Sequence, residues 1–541
     1  MKRDLSRLSN QSFDLLIIGG GATGCFAARD AALRGLSVAL VEARDFASAT
    51  SARSSRLVHG GLRYLRNLET GLVRESLRER LALMRIAPHL VRPLPFLLPL
   101  HGGGLLGRAK LAAGLTLYDL LSHDRNRLED PALRLPGHRW IGKKDALARE
   151  PVLDAKGFRG AFEYHDAQMY APERLALENL IDADAHGAVI ANYVAAEKLL
   201  LRHGKVEGCS VRDRITGSGF DIRAAAVLVA AGPWADIFLE QATGQTAAHK
   251  LIRSKGIHLM VPLLSRSALA LETGGGHLFA LPWRGHTLLA TTDTPFSGDP
   301  AGVAVSEADI VSFLATCRKA LPVAALARDR VEHFYAGLRP LVSDGSPKNA
   351  TMLSYHVSRR AELVDHATES MSGLFSALGG KWTTSRALAE KAIDAIAGKL
   401  EKKTTPCVTA TTPLPGGRID RFDGLVAGMQ KTYPGIAALR HLAHLHGARL
   451  PLLLQGVRLT DLMPLGPSQD VPAQIAFAVR EEMALTLEDV VMRRTSLGQF
   501  GRPSHQALAQ VVTLMTRELG WSAEKQQSEI ATLNHLYEVA A

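Results

Sequence analysis

Cysteine is scarce and scattered: Cys25, Cys209, Cys317 and Cys407 are the four in 541 residues. No CxxC pair offers a zinc site, and no dense framework offers a disulfide scaffold, so a reducing, cytoplasmic setting is expected. No metal site is expected. Aromatic residues make up 6% of the chain, and no basic stripe is interleaved with them, which argues against nucleic-acid binding. Long apolar runs are missing too. The longest charge-free stretch near the front, Pro93 to Gly107, is rich in Pro and Gly and shorter than the roughly 20 residues a spanning helix needs. The N-terminus, MKRDLSRLSNQSF, lacks an apolar core, so neither a secretory signal nor a transmembrane segment is expected. Internal repeats and low-complexity tracts are also absent.

Charge is present but uneven. The net +11 is concentrated in residues 1–150, which hold 24 Lys/Arg against 14 Asp/Glu. Such an excess attracts nucleic acid, acidic headgroups or phosphorylated small molecules, or is merely a solvated basic face.

The most informative stretch is DLLIIGGGATG, residues 14–24. A short apolar run reads as a buried strand, and glycines at its end mean that the chain turns tightly and leaves its backbone bare. Gly19, Gly21 and Gly24 fit GxGxxG: one for the turn, one for a pyrophosphate against backbone N–H groups, one for close helix packing. The helix ATGCFAARDAALRG and the strand LSVALVE complete a βαβ unit, and the helix N-terminus favours phosphate. Glu42 ends the second strand, where a carboxylate would accept from a ribose hydroxyl. An acid there selects FAD or NAD over NADP. The polar loop that follows, RDFASATSARSSRLVHGGLRYL, suits an extended FAD better than the next helix of an NAD enzyme.

Further along, the pattern predicts helices over 70–92 and 105–121, then strands through about 160–300. An amphipathic helix SEADIVSFLATCRKAL follows, then the strands HFYAGLRPL and GLFSALGG, and a helix RALAEKAIDAIAGKL. EKKTTPCVTATTPLPGG, rich in Thr, Pro and Gly, reads as a linker over 401–417. Beyond it the strand texture stops, and 418–541 reads as a helical domain, with PAQIAFAVREEMALTLEDVVMRR as one of its helices.

GGGATG, SATSARSSRLVHGGLRYL, GPWAD, TTDT, GLRPL and LGGKWTT, in this order, resemble the FAD-dependent glycerol-3-phosphate dehydrogenases, from about residue 13 to the end. The resemblance is most specific in HGGLRYL (59–65), GLRPL (337–341) and GGKWTT (379–384). It implies an α/β plus α+β fold: a Rossmann-like FAD-binding domain of the D-amino-acid oxidase type, a β-rich substrate domain and a helical C-terminal domain. The flavin parts are expected at about 13–90, 150–235 and 335–400, and the substrate parts at about 91–149 and 236–334. The implied reaction is oxidation of sn-glycerol 3-phosphate to dihydroxyacetone phosphate. FAD is reduced and passes electrons to membrane quinone, from a peripheral position on the inner face of the cytoplasmic membrane; a homodimer is possible. The chain has no EF-hand pattern of the mitochondrial members. It departs from bacterial relatives in YHDAQMYAPERL, where Tyr170, Ala171 and Pro172 replace acids while Glu173 and Arg174 remain. Another polyol phosphate, a four-carbon analogue for example, is therefore an alternative substrate.

Carried onto these motifs, the cofactor-binding residues are Gly19, Gly20, Gly21, Gly24, Glu42, Thr50, Ser51, His59, Gly60, Gly61, Gly232, Gly379 and Gly380. Arg63, Tyr64, Arg339, Lys381 and Thr383 are the substrate-binding candidates, since arginine matches phosphate oxygens bidentately. Arg339, Lys381 and His258 are the catalytic candidates, with His258 the better base and His59 the other. Thr292 and Asp293 are placed near the substrate, or Asp293 is a turn acid, and Trp382 is expected to pack. The apolar, basic-flanked segment Leu94 to Leu121 is either the membrane-contacting surface or a buried helix pair. Three other readings stay open: an oxidase reducing oxygen, a basic flavoprotein associated with nucleic acid, and a flavin-binding protein without turnover.

Overall fold

The computed structural model describes residues 1–102, 104–247, 249–273, 276–342 and 361–540. Two sheets organise the first 400 residues. The first runs, in spatial order, Ala361–Asp365, Leu374–Gly379, Gly219–Val229, Ser12–Ile18, Val38–Val41 and Val189–Ala191; an antiparallel pair, Val194–Arg202 and Lys205–Asp213, joins at Gly219–Val229. The middle strands are parallel. A parallel strand is covered on both faces, which is why Leu15, Leu16, Ile17 and Ile18 run apolar without a break and the strand is buried from Phe13 onward. The helix Ala22–Leu33 is the covering layer. Its alanines and Gly24 let it sit against the sheet and the helices Pro172–Ala185 and Ser385–Lys399.

Among the described residues the second sheet has ten strands, built on Leu251–Pro262, Gly276–Trp283, Val91–His101 and Phe158–Met169. Here the domain boundaries expected from the sequence shift. Phe158–Met169 pairs with Val91–His101, and His333–Val342 pairs with Leu251–Pro262 along its length, so both belong to the second sheet and not to the flavin parts. Leu57–Val58 joins it too. Alternating burial marks a strand but does not say whose hydrogen bonds it completes, and that choice is made by register. The helix expected over 70–92 ends at Ile86, ahead of Pro88, and the next residues form the strand Val91–His101.

The segment 401–417 is a docked strap. Thr409 and Leu414 are buried. Arg29, fully buried in its helix, donates to the carbonyls of Thr409 (3.4 Å), Thr412 (2.8 Å) and Pro413 (3.4 Å). The Gly416 N–H donates to Glu178 (2.7 Å). Beyond it lie the helices Phe422–Thr432, Leu439–His446, Leu450–Leu454, Pro472–Glu482, His505–Leu519 and Ala523–His535. The long helix expected from 472 instead stops at Glu482: Met483 takes φ 54°, and the chain resumes as a wide π-turn, Asp489–Arg494.

Candidate functional site

A cavity of about 820 Å³ is lined from both sheets. On one side stand residues just past the C-terminal ends of the parallel strands: Gly21, Ala22, Ala230, Gly232, Gly379 and Gly380. That is where open parallel sheets receive ligands. On the other stand His258, Phe279 and Arg339 of the second sheet and Thr291, just past its strand His286–Ala290.

The glycine loop has the geometry a pyrophosphate needs. A Cβ on Gly24 would fall 1.9 Å from the Gly19 carbonyl oxygen, so only glycine lets the helix start this close to the strand. Glu42 accepts from the N–H of Gly20 (2.7 Å) and of Arg44 (2.9 Å). Burial raises its carboxyl above the usual range, and those two N–H groups oppose the shift. Ser51 accepts from Ala22 N–H (2.9 Å), and Thr50 donates to the Leu338 carbonyl (2.7 Å), so the polar loop ties the glycine turn to the second sheet. Trp382, expected to pack, meets Phe26 edge-on and donates to the Ser51 carbonyl (2.8 Å). This bare cradle, the buried acid and a cavity of this volume fit an extended dinucleotide such as FAD.

Arg63, Arg339, Lys381, Thr383, His59 and His258, from segments far apart in the chain, line this one cavity. Tyr64 is buried behind the wall, with the Arg63 guanidinium 5.0 Å and the Lys381 Nζ 4.5 Å from its ring centre. It supports both cations from beneath. Gly60 is likewise buried, and its N–H donates to Tyr118 (3.0 Å) and Asp166 (3.2 Å). The His59 N–H donates to Thr383 Oγ1 (3.2 Å).

Arg339 is aimed by its neighbours. It donates to Ser254 Oγ (3.2 Å), Thr291 Oγ1 (2.9 Å) and the Thr292 carbonyl (3.0 Å), with Asp293 3.7 Å away. Ser254 in turn donates to Asp293. Thr292 Oγ1 accepts from the Ile257 N–H (3.0 Å). His258 stacks on Tyr335 (4.8 Å), and its Nε2 lies 3.0 Å from Ser55 Oγ, itself at the cavity. Burial, reinforced by Arg339 and Arg56, holds the imidazole well below the usual histidine range, so it is neutral.

Sequence reasoning missed Ser55, Ser254, Gly256 and Asp166. Asp166 is the most informative of these. It is buried on Phe158–Met169, bound by Arg80 and Tyr118, and it fixes the Gly60 turn. The strand also carries Arg159, Glu163, His165 and Gln168, so nothing in the sequence set Asp166 apart. Glu173 and Arg174, noted for their place in YAPERL, do not reach the cavity. Glu173 accepts from Gln499 (2.6 Å) and Arg174 pairs with Glu482 (2.5 Å), so both belong to the seam with the C-terminal domain.

A family model described as FAD dependent oxidoreductase matches residues 14–386, and one described as the C-terminal domain of alpha-glycerophosphate oxidase matches 407–526. The glycerol-3-phosphate dehydrogenase of Synechocystis sp. is 35% identical over 98% of this chain and 97% of its own. That of Mycobacterium leprae is 35% identical over 98% of this chain and 88% of its own. Among solved structures, the glycerol-3-phosphate dehydrogenase from Bacillus halodurans complexed with FAD superposes with a TM-score of 0.77 at 30% identity, covering 98% of this chain and 96% of that one. Glycine oxidase from Geobacillus kaustophilus, at 23% identity and a TM-score of 0.52, shares the fold over 75% of this chain and 99% of its own. With both family models in order and full-length identity of this degree, the chain belongs to the FAD-dependent oxidoreductase family, in its glycerol-3-phosphate dehydrogenase branch.

Proposed function

We propose that the protein oxidises sn-glycerol 3-phosphate to dihydroxyacetone phosphate with FAD, and that the electrons leave to a membrane quinone. The observation that carries this reading is that the backbone cradle for a dinucleotide opens, within one cavity, on Arg63, Arg339 and Lys381 beside a neutral histidine. When bound, FAD supplies the hydride acceptor. Arg339 and Arg63 hold the substrate phosphate, a near-dianion, with Arg339 pre-aimed by three oxygen acceptors. His258 accepts the hydroxyl proton, with the Ser55 hydroxyl as relay. Lys381 and the Thr383 hydroxyl place positive potential and a hydrogen bond at the rim of the site.

The same cavity supports the quinone and membrane readings. Its wall includes Leu98, Gly107, Leu111 and Gly114, and the last three belong to the helix Gly104–Leu121. That helix turns Leu105 and Leu106, 85% and 68% exposed, to the outside next to Arg108 and Lys110. An apolar helix face with flanking cations fits a peripheral, in-plane membrane contact. No helix among the described residues is long and apolar enough to cross a membrane.

The test is anaerobic mixing of the purified flavoprotein with glycerol 3-phosphate and other polyol phosphates while flavin absorbance is followed at about 450 nm. Saturable bleaching is expected, and Arg339→Ala should abolish the saturation while the protein stays yellow. A normal KM in that variant sinks the phosphate assignment. Quinone turnover on vesicles, compared with the oxygen rate, separates dehydrogenase from oxidase.

A further inference from the structure

The loop behind Glu42 is gripped by the far end of the chain. Asp45 is fully buried. Its carboxylate accepts from Arg493 Nε (2.6 Å), from both terminal nitrogens of Arg494 (2.8 Å each) and from Asn192 (3.1 Å). The two arginines, buried as well, come from the π-turn Asp489–Arg494 of the C-terminal domain. They carry the charge that keeps Asp45 ionised: burial would raise its carboxyl, and Arg494 and Arg493 pull it down to about 2. Each arginine has further anchors on its own domain. Arg493 also binds Glu488 and Asp489, and Arg494 donates to the Glu482 carbonyl. Burying this many charges is a poor way to add stability, because desolvation consumes the Coulomb gain. What it enforces is one relative position of the two partners.

That position bears directly on the cofactor cradle. Ala47 N–H donates to the Gly20 carbonyl (2.9 Å), and the Phe46 ring packs so closely that a Cβ on Gly20 would meet it at 2.8 Å. On the other side of Asp45, the Arg44 N–H is bonded to Glu42. A second route runs from the same π-turn. Asp489 accepts from the Tyr193 hydroxyl (2.6 Å), the Tyr193 N–H donates to the Arg44 carbonyl (2.9 Å), and the Val194 N–H donates to that of Glu42 (2.8 Å). Moving the π-turn therefore moves both the ribose acid and the glycine turn.

We propose that the C-terminal helical domain is a clamp on the nucleotide end of the flavin site, with Arg493 and Arg494 as positioning residues that act through Asp45. This rests on the reading of Gly19–Glu42 as the FAD cradle. The grip of the π-turn on Asp45 and retention of FAD are one coupled equilibrium, and linkage makes the coupling reciprocal: whatever factor that contact adds to FAD affinity, FAD adds to the contact.

The experiment titrates deflavinated protein with FAD, following flavin fluorescence. Arg494→Gln is expected to raise the FAD Kd by about 10- to 100-fold, the effect of freeing one end of a buried charge pair. KM for the polyol phosphate at saturating FAD should stay within about twofold, because neither Asp45 nor the π-turn lines the cavity. Arg284→Met is the control. Arg284 joins the second sheet to the same C-terminal domain through Ser496 and Ser468 without touching the loop, so this variant should lower Tm and leave the FAD Kd nearly unchanged. In the unmodified protein, amide exchange over 489–496 should quicken at least about tenfold when FAD is removed. An unchanged Kd in Arg494→Gln, or equal Kd losses in the two variants, overturns the clamp. If Arg494→Gln yields no soluble protein, the exchange comparison decides, and equal exchange with and without FAD overturns it. An unmodified chain that binds no FAD refutes the cradle itself, a distinct result.

Discussion

Gly256 offers the sharpest test of the phosphate site, because a single methyl there moves Arg339 without removing it. Gly256 lies on the strand Leu251–Pro262, opposite Gly337 and between Ser254 and His258 on the cavity face. Its φ is not in the left-handed region, so alanine suits the backbone. The added Cβ would stand 2.2 Å from an Arg339 terminal nitrogen and 2.7 Å from Thr291 Oγ1. Normal non-bonded separation begins at about 3.5 Å, so the guanidinium must retreat by roughly 1.3 Å. The retreat is sterically cheap, since the clashing atom ends a flexible side chain. It breaks the bonds to Thr291 Oγ1 and the Thr292 carbonyl that aim the group. Misplacing a positioning group by about 1 Å costs up to ~100-fold, and charged hydrogen bonds are each worth ~1.5–3 kcal/mol. Gly256→Ala should therefore cut kcat/KM for the phosphorylated substrate by about 10- to 100-fold, or ~1.4–2.8 kcal/mol. Fold stability should be unchanged or higher by a few tenths to ~1 kcal/mol, because alanine loses less backbone entropy in a strand. The assay is anaerobic stopped-flow bleaching against substrate concentration, with Tm and flavin content in parallel. A yellow, stable variant with unaltered kcat/KM would refute the argument that Arg339 in its present pose binds the phosphate.

His258→Gln should lower kcat by about 10²- to 10⁴-fold while KM and flavin content hold, and in the unmodified enzyme no limb of kcat/KM should belong to this histidine near pH 6.5 or for some distance below it. An acid limb near pH 6.5 that vanishes in the variant would contradict its burial as a neutral base. Stability should also respond to acid at the seam. His444, stacked between Tyr170 and Phe422, is held down to about 3 by burial, and His446 is held well below its usual range by burial and Arg174. These groups bind protons in the unfolded chain below about pH 6.5 but not in the folded one, so stability falls as pH drops from there toward 3, by ~1.4 kcal/mol per unit per group. Denaturant midpoints from about pH 7.5 to 5 check this, and His444→Gln should flatten the slope; an identical slope in that variant would show that His444 is not among the groups responsible.

Local patterns carried much of this protein in the open. The first βαβ unit was readable because turn, helix and acid lie within about 30 residues and each obeys a short-range rule: Gly24 has no Cβ because it starts a helix against Gly19, and Glu42 ends the next strand. Helices such as Glu307–Ala320, with its Ser306 capping box, were readable for the same reason. The cavity cations were nameable through the resemblance of short motifs, which also implied that they converge, while their spacing in the chain could not show it. Membership of the strand Phe158–Met169, the docking of the strap by Arg29, and the failure of the helix at Met483 all turned on partners far away in the chain.

The amino-acid sequence alone laid out the glycine turn, the helix it opens and the acid after the next strand, since these depend on steric rules that act over a turn or two, while the resemblance of short motifs named the groups available for chemistry. Tertiary structure alone decided which strand pairs with which, that Arg63, Arg339 and Lys381 face one cavity, that Gly256 makes room for Arg339, and that Asp45 is held from 449 residues away by Arg494. Hydrogen-bond register and the pairing of buried charges are settled by whichever partner folding delivers, and no window of neighbouring residues contains that partner.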